Sequence, residues 1–145
     1  KSFIIFLFVG FGCAGIVIDQ VMKLILMTSP LLVERFWIFG PVSVNALLPF
    51  GARIPGAVFW IGAIAVWILC WVWYFSTYHS FERACIFLLI IAGASNLFDR
   101  IRWGGVVDYI HVGTVSVINI ADIVITVGVL SLIAMRFRIH CGTHP

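Results

Sequence analysis

Residues 54–75, IPGAVFWIGAIAVWILCWVWYF, run on without a single charged side chain. About 20 residues of α-helix, rising 1.5 Å each, cross the hydrocarbon of a bilayer. No water reaches the backbone there, and a helix satisfies its own N–H and C=O groups. The stretch therefore reads as a transmembrane helix. Three further apolar segments, 3–18, 84–98 and 123–137, approach the same length. The last two, at about 15 residues each, cross fully only if their polar ends, 96–99 and 119–122, also lie at membrane depth. No small-residue cleavage site follows 3–18, which is expected to remain as a span.

The composition agrees. The 145-residue chain is 63% hydrophobic and 10% charged, with a mean hydropathy of +1.16. A soluble domain carries about 25% charged residues. The expectation is one all-α membrane domain over 1–145 with four transmembrane helices. A net charge of +3 without a basic run argues against a nucleic-acid partner. Cys13, Cys70, Cys85 and Cys141 are scattered and show no CxxC or Cys/His spacing, so buried, inert thiols are expected, with no metal site or disulfide frame.

Trp67, Trp71, Trp73, Tyr74 and Tyr78 cluster at the end of the second span, which suits either an interfacial belt or helix packing. Pro, Gly and β-branched residues break any helical period over 28–53, and 100–118 has the same character. Short strands and turns are expected in both. With four spans these two segments share one side, opposite the termini. The Lys/Arg count leaves the orientation open.

Ionisable groups in such a chain need a reason, because a charge at membrane depth is costly and marks a candidate site. Asp19, Asp99, Asp108 and Asp122 all map to one side, together with Asn45, Asn96 and Asn119. Asp19 and Lys23 are four apart and face each other on a helix. They either pair to close the first span or help shape a site. Asn96 and Asp99 share a helix face, and Asp99 with Arg100 reads as a helix-end pair. The fork of donors on Arg100 also suits a peptide carbonyl. Asn119 and Asp122 open the last span, where either can cap the helix. Asp108, among Val106, Val107, Tyr109 and Ile110, has no such role. Two carboxylates in a poorly solvated site share a proton and can activate a water between them. Peptide hydrolysis by such a dyad needs neither metal nor cofactor. A proton-coupled transporter subunit would also carry intramembrane carboxylates, but it should show polar residues along several spans. These spans are apolar in the middle.

Three motifs, in order, resemble those of the lipoprotein signal peptidases (signal peptidase II), four-span aspartic peptidases. DQVMK at 19–23 is similar to the family's D-Q-x-x-K. GASNLFDRIRWGGVVDY at 93–109 is similar to its block from N-x-x-D-R to V-V-D-F, with Tyr109 for the usual phenylalanine. NIADIVITVG at 119–128 is similar to N-x-A-D-x-x-I-x-x-G. The resemblance implies that Asp108 and Asp122 are the catalytic pair. Asn96, Arg100, Asn119 and Asn45 would line the substrate site, supported by Asp19, Lys23 and Asp99. It implies a bacterial inner-membrane enzyme with cytoplasmic termini and a site near the outer leaflet, beside a small strand-containing extracytoplasmic element. The substrate would be a prolipoprotein, cut before its diacylglyceryl-modified cysteine, with its acyl chains holding the scissile bond at a fixed depth. A monomer among membrane lipids is expected, without a cofactor.

There are departures. NALLPFG at 45–51 keeps Asn45, Phe50 and Gly51 of N-x-G-A-A-F-G but places Leu47, Leu48 and Pro49 between them. A stiffer, more apolar outer flap is expected there. The connection from Asp108 to Asp122 is also short for the family. A non-catalytic homologue that binds lipoproteins is the alternative that the altered Asn45 motif leaves open.

Overall fold

The computed structural model describes residues 2–29, 42–45, 56–113 and 116–141. Along the chain these form α1 (Ser2–Thr28), β1 (Ser43–Asn45), α2 (Gly56–Ser76), α3 (Ser80–Trp103), β2 (Val106–Asp108), β3 (Ile110–Val112), β4 (Ser116–Ile118) and α4 (Ile120–Cys141). Each of the four helices is long and apolar enough to cross a membrane. The strands form two antiparallel pairs, β1 with β2 and β3 with β4. The fold is thus mostly helical with small strand elements, as expected.

At the centre stands α3, which packs on α1, α2 and α4, while α1 also packs on α4. Cys85, Ile86 and Ile90 of α3 meet Leu132 of α4 in an apolar core flanked by Phe8, Trp67 and Trp71. Glycines allow close approach. A Cβ on Gly12 would collide with the Leu88 side chain, and one on Gly128 would lie 3.0 Å from Leu89 Cδ2. Small residues at helix contacts serve membrane bundles because packing, rather than the hydrophobic effect, holds helices together in lipid. The outer surface is inverted relative to a soluble protein. Phe3, Phe6, Phe11, Ile61, Phe75 and Phe137 are each more than two-thirds exposed. In water each would forfeit about 25 cal/mol per Å² of apolar area; against acyl chains there is no such cost.

The helices extend beyond the apolar segments. After Ile18, α1 continues through Asp19 and Lys23 to Thr28, and α3 carries Asn96, Asp99 and Arg100 in helical geometry as far as Trp103. Charged residues do not end these helices because they satisfy one another across the bundle. Gly104 ends α3 in the left-handed region, at φ 77°, and its N–H reaches Arg100 O at 3.2 Å. That conformation favours glycine, and it turns the chain into β2, which ends at Asp108. The first residues of 100–118 are therefore helical, and the expected strands begin at Val106. Of 28–53, β1 is described; Leu47, Leu48 and Pro49 lie outside the described residues.

The aromatic cluster of α2 divides. Trp67 donates its indole N–H to Ile90 O at 3.2 Å, and Trp73 donates to Glu82 Oε1 at 3.0 Å. Trp71 and Tyr74 pack edge to face, 5.7 Å apart. Tyr78, 93% exposed, has the free outer position of a belt residue, and Trp73 is itself 38% exposed although its N–H is held. An N–H without an acceptor is costly in hydrocarbon, which is why both indole N–H groups are directed onto α3 acceptors. Buried Glu82 also takes Arg136 Nη2 at 2.9 Å, tying α3 to α4 at the end of the bundle where α4 finishes. Cys85 is buried as expected, whereas Cys13 and Cys70 are only half-buried; all three are free thiols.

Candidate active site

At the other end of the bundle, α1 and α3 meet through a buried ionic cluster. Lys23 Nζ lies 2.6 Å from Asp19 Oδ2 and 2.6 Å from Asp99 Oδ2. Its third donor direction is taken by Asn96 Oδ1 at 3.2 Å. None of the three charged side chains exceeds 1% exposure. The i, i+4 pair expected within α1 is present, but Asp99 pairs with Lys23 rather than with Arg100. Consecutive residues on a helix do not face each other, and Asp99 points into the bundle while Arg100 is only half-buried. Gln20 Nε2 closes the cluster, donating to Asp99 Oδ1 at 3.0 Å and to Ser95 Oγ at 2.7 Å. Among the described residues no buried side-chain polar atom lacks a partner.

The amide of Asn96 is oriented by this cluster. Its oxygen faces Lys23, so its nitrogen is left to donate to Asp122 Oδ1, at 2.9 Å. Asn119 completes the arrangement. Its Nδ2 donates to Asp108 Oδ1 at 2.8 Å and to Asn96 Oδ1 at 3.3 Å, and its Oδ1 accepts the Asp122 N–H at 2.9 Å. In return Asp122 Oδ2 accepts the Asn119 N–H at 3.4 Å. This reciprocal pattern is a capping box at the start of α4. Capping and membership of the site therefore coexist in the same two side chains. Asp108 and Asp122 come from different elements and are held by one pair of asparagines.

Strand pairing delivers Asp108. Val106 and Val107 are buried in β2, which pairs with β1 in the register Ser43↔Asp108, Val44↔Val107, Asn45↔Val106. Asn45 reaches Asp108 with a side-chain hydrogen bond. Burial pushes the Asp108 carboxyl up to about 6, and the nearby Asp122 charge adds to the rise. The Asn119 amide, Lys23 and Asn45 work in the opposite direction. A carboxyl moved towards neutrality by burial and a second carboxyl is the behaviour of a group poised for proton transfer.

Arg100 stands apart from the hydrogen-bonded group. Its guanidinium lies 4.5 Å from the Phe59 ring centroid, across the gap between α3 and α2, within the field of Asp108, Asp122 and Asp99. Among the described residues no His/Cys/Asp/Glu grouping could hold a metal ion.

Three contributors were not singled out in the sequence: Gln20, Ser95 and the hydroxyl of Tyr109, which donates to Asp19 Oδ1 at 2.8 Å. Gln20 lies inside the 19–23 motif and Ser95 directly before Asn96, so proximity was their only signal. Tyr109 was visible as a departure.

Residues 12–138 match the family model described as Signal peptidase (SPase) II. A Lipoprotein signal peptidase of Streptococcus pyogenes serotype M6 is 27% identical over 143 residues, covering 81% of this chain and 92% of that protein. Another, from Caldicellulosiruptor bescii, is 42% identical over 73 residues, 50% of this chain and 47% of that protein. A bacterial membrane enzyme solved by the in meso method at 2.3 Å resolution has the same fold, with a TM-score of 0.73 at 23% identity over 97% of this chain and 91% of that one. The matched region runs from α1 to α4 and takes in every residue of the candidate site: this chain belongs to the signal peptidase II family.

Proposed function

We propose that this chain, as one unit over 1–145, is a membrane-embedded aspartic endopeptidase that cleaves prolipoproteins before a diacylglyceryl-modified cysteine. What supports it most directly is the asparagine pair that holds Asp108 and Asp122 in one buried network. Asp108, the carboxyl pushed up by burial, carries the shared proton. Asp122, with an N–H donor on each oxygen, takes a proton from water. The resulting oxygen nucleophile adds to the scissile carbonyl carbon while Asp108 protonates the carbonyl oxygen. Collapse of the tetrahedral diol breaks the C–N bond. The proton held by Asp122 then goes to the leaving nitrogen, and a diol hydroxyl returns one to Asp108. Arg100 and Asn45 orient the extended peptide backbone, and the site works at lipid headgroup depth, a reading supported by its lying where the apolar segments end. In this topology the site faces the outer leaflet and the termini the cytoplasm, and the protein works as a monomer among lipids.

The test is incubation of the purified protein with a diacylglyceryl-modified prolipoprotein, with release of the signal peptide measured. Tight binding without release would instead make it a lipoprotein-binding homologue. The pH dependence follows from Asp108. Its carboxyl must hold a proton, so kcat/KM should fall as pH rises through about 6 and approach tenfold per unit above it. A rate that keeps rising to pH 9 would contradict the assignment of the acid. Arg100→Gln should raise KM about tenfold, the value of one charged hydrogen bond to substrate, with a smaller change in kcat. An unaltered KM would remove Arg100 from the substrate site.

A further inference from the structure

Tyr109 stands where the family resemblance leads one to expect phenylalanine, and it is buried at 1% exposure. Its hydroxyl donates to Asp19 Oδ1 at 2.8 Å, and the Ile120 N–H donates to the same oxygen at 3.0 Å. The other oxygen of Asp19 is fixed by Lys23 Nζ at 2.6 Å and Ser95 Oγ at 3.1 Å. One oxygen of α1 therefore clamps the residue after Asp108 and the residue after Asn119. These are the two segments that must meet for Asp108 and Asp122 to act together. The strand register around them is short. β2 is three residues long and ends at Asp108, and the backbone N–H of Tyr109 adds one bond to Ile118 O at 3.1 Å.

We propose that Tyr109 is a positioning residue for the Asp108–Asp122 pair, its hydroxyl holding the Asp108 strand against the start of α4 through Asp19 Oδ1. It rests on the assignment of those two aspartates as the dyad. A hydrogen bond to a buried carboxylate is short and strong, because no water competes for it. Burial, with the Asp19 charge beside it, pushes the phenol well above the ordinary tyrosine range. The hydroxyl therefore remains a donor at every working pH. Catalysis is sensitive to such a clamp, since a misplacement of about 1 Å can cost 10²-fold in rate.

Tyr109→Phe removes the hydroxyl and little else. Its kcat for diacylglyceryl-modified prolipoprotein, taken per cooperatively melting molecule in detergent, should fall about tenfold with KM within twofold of the parent. The alkaline limb of its kcat profile should move to lower pH. A loosened strand both admits water to Asp108 and moves it away from Asp122, and each change weakens the upward pressure on its carboxyl. Asp122, Lys23, Arg100, Asn119 and Asn45 all act on Asp108 or lie within its field, so the limb reports their common geometry. A Tyr109→Phe enzyme with parental kcat and pH limb but a lower melting temperature would make this a stability bond and overturn the proposal. A variant that does not fold would do the same. Asp108→Asn, assayed alongside, separates the two levels. If Asp108→Asn turns over normally the dyad assignment fails, and if it is inactive while Tyr109→Phe matches the parent, only the clamp fails.

Discussion

Asp108→Asn and Asp122→Asn should each lower kcat for prolipoprotein cleavage by roughly 10³-fold or more, because in the proposed mechanism each removes a proton-transfer group whose partner cannot act alone. The amide is nearly isosteric with the carboxyl, so both variants should insert and fold. For Asp108 a second readout sharpens the test. Its folded carboxyl is raised to about 6 from an ordinary value of 3.8. Such a group favours the folded state most below about pH 4, and that contribution is lost as pH rises through 6. At neutral pH the parent therefore carries a desolvation cost on the order of 2–3 kcal/mol. Asp108→Asn has no charge to desolvate, so at pH 7.5 it should melt at the parental temperature or above it. Loss of activity with retained or increased stability is the pattern of a residue kept for chemistry. Near-parental turnover in either variant would remove that residue from the dyad.

The second large effect belongs to Lys23. Its ammonium faces Asp19 and Asp99, both fully buried, and no water can replace it. Lys23→Met fills similar space but leaves two carboxylates together without a cation. Removing one partner of a buried ionic group costs about 3–5 kcal/mol, even though an intact group adds little over an apolar one. The melting temperature should fall by roughly 10 °C or more. Combining Lys23→Met with Asp99→Asn should recover part of that loss, since contacting sites are not additive. Activity should fall further than stability explains, because Asn96 loses the donor that turns its amide nitrogen towards Asp122. A Lys23→Met protein with the parental melting temperature would mean the cluster contributes nothing to the fold.

Asp19 and Asp99 belong to the same cluster, and their connections explain why supporting residues can be as exacting as catalytic ones. Asp19 contacts α1, α3 and the start of α4, as well as Tyr109, through its two oxygens. Asp99 accepts from Gln20, Lys23 and, at 3.4 Å, the Val107 N–H of β2. Charge buried at the junction of three helices specifies one packing, because any other leaves a carboxylate unsatisfied.

The amino-acid sequence by itself determined the helical membrane architecture, since a run such as 54–75 has no other way to satisfy its backbone in lipid. It also determined which residues could carry chemistry, because in so apolar a chain every aspartate is conspicuous. Spacing was enough for the Asp19–Lys23 pair, four residues apart on one helix. It misled at Asp99, where adjacency suggested Arg100 but helix geometry turns neighbours to different faces. The tertiary structure alone decided what links distant segments. The register Ser43↔Asp108 joins strands of three residues, too short to have a pattern of their own. The bond from Tyr109 to Asp19 crosses 90 positions. The Asn96 amide gains its direction from Lys23 on one helix and Asn119 at the start of another. Such contacts depend on which helix faces pack together, and helices that are apolar on every side carry no stripe in their sequence to say which faces those are.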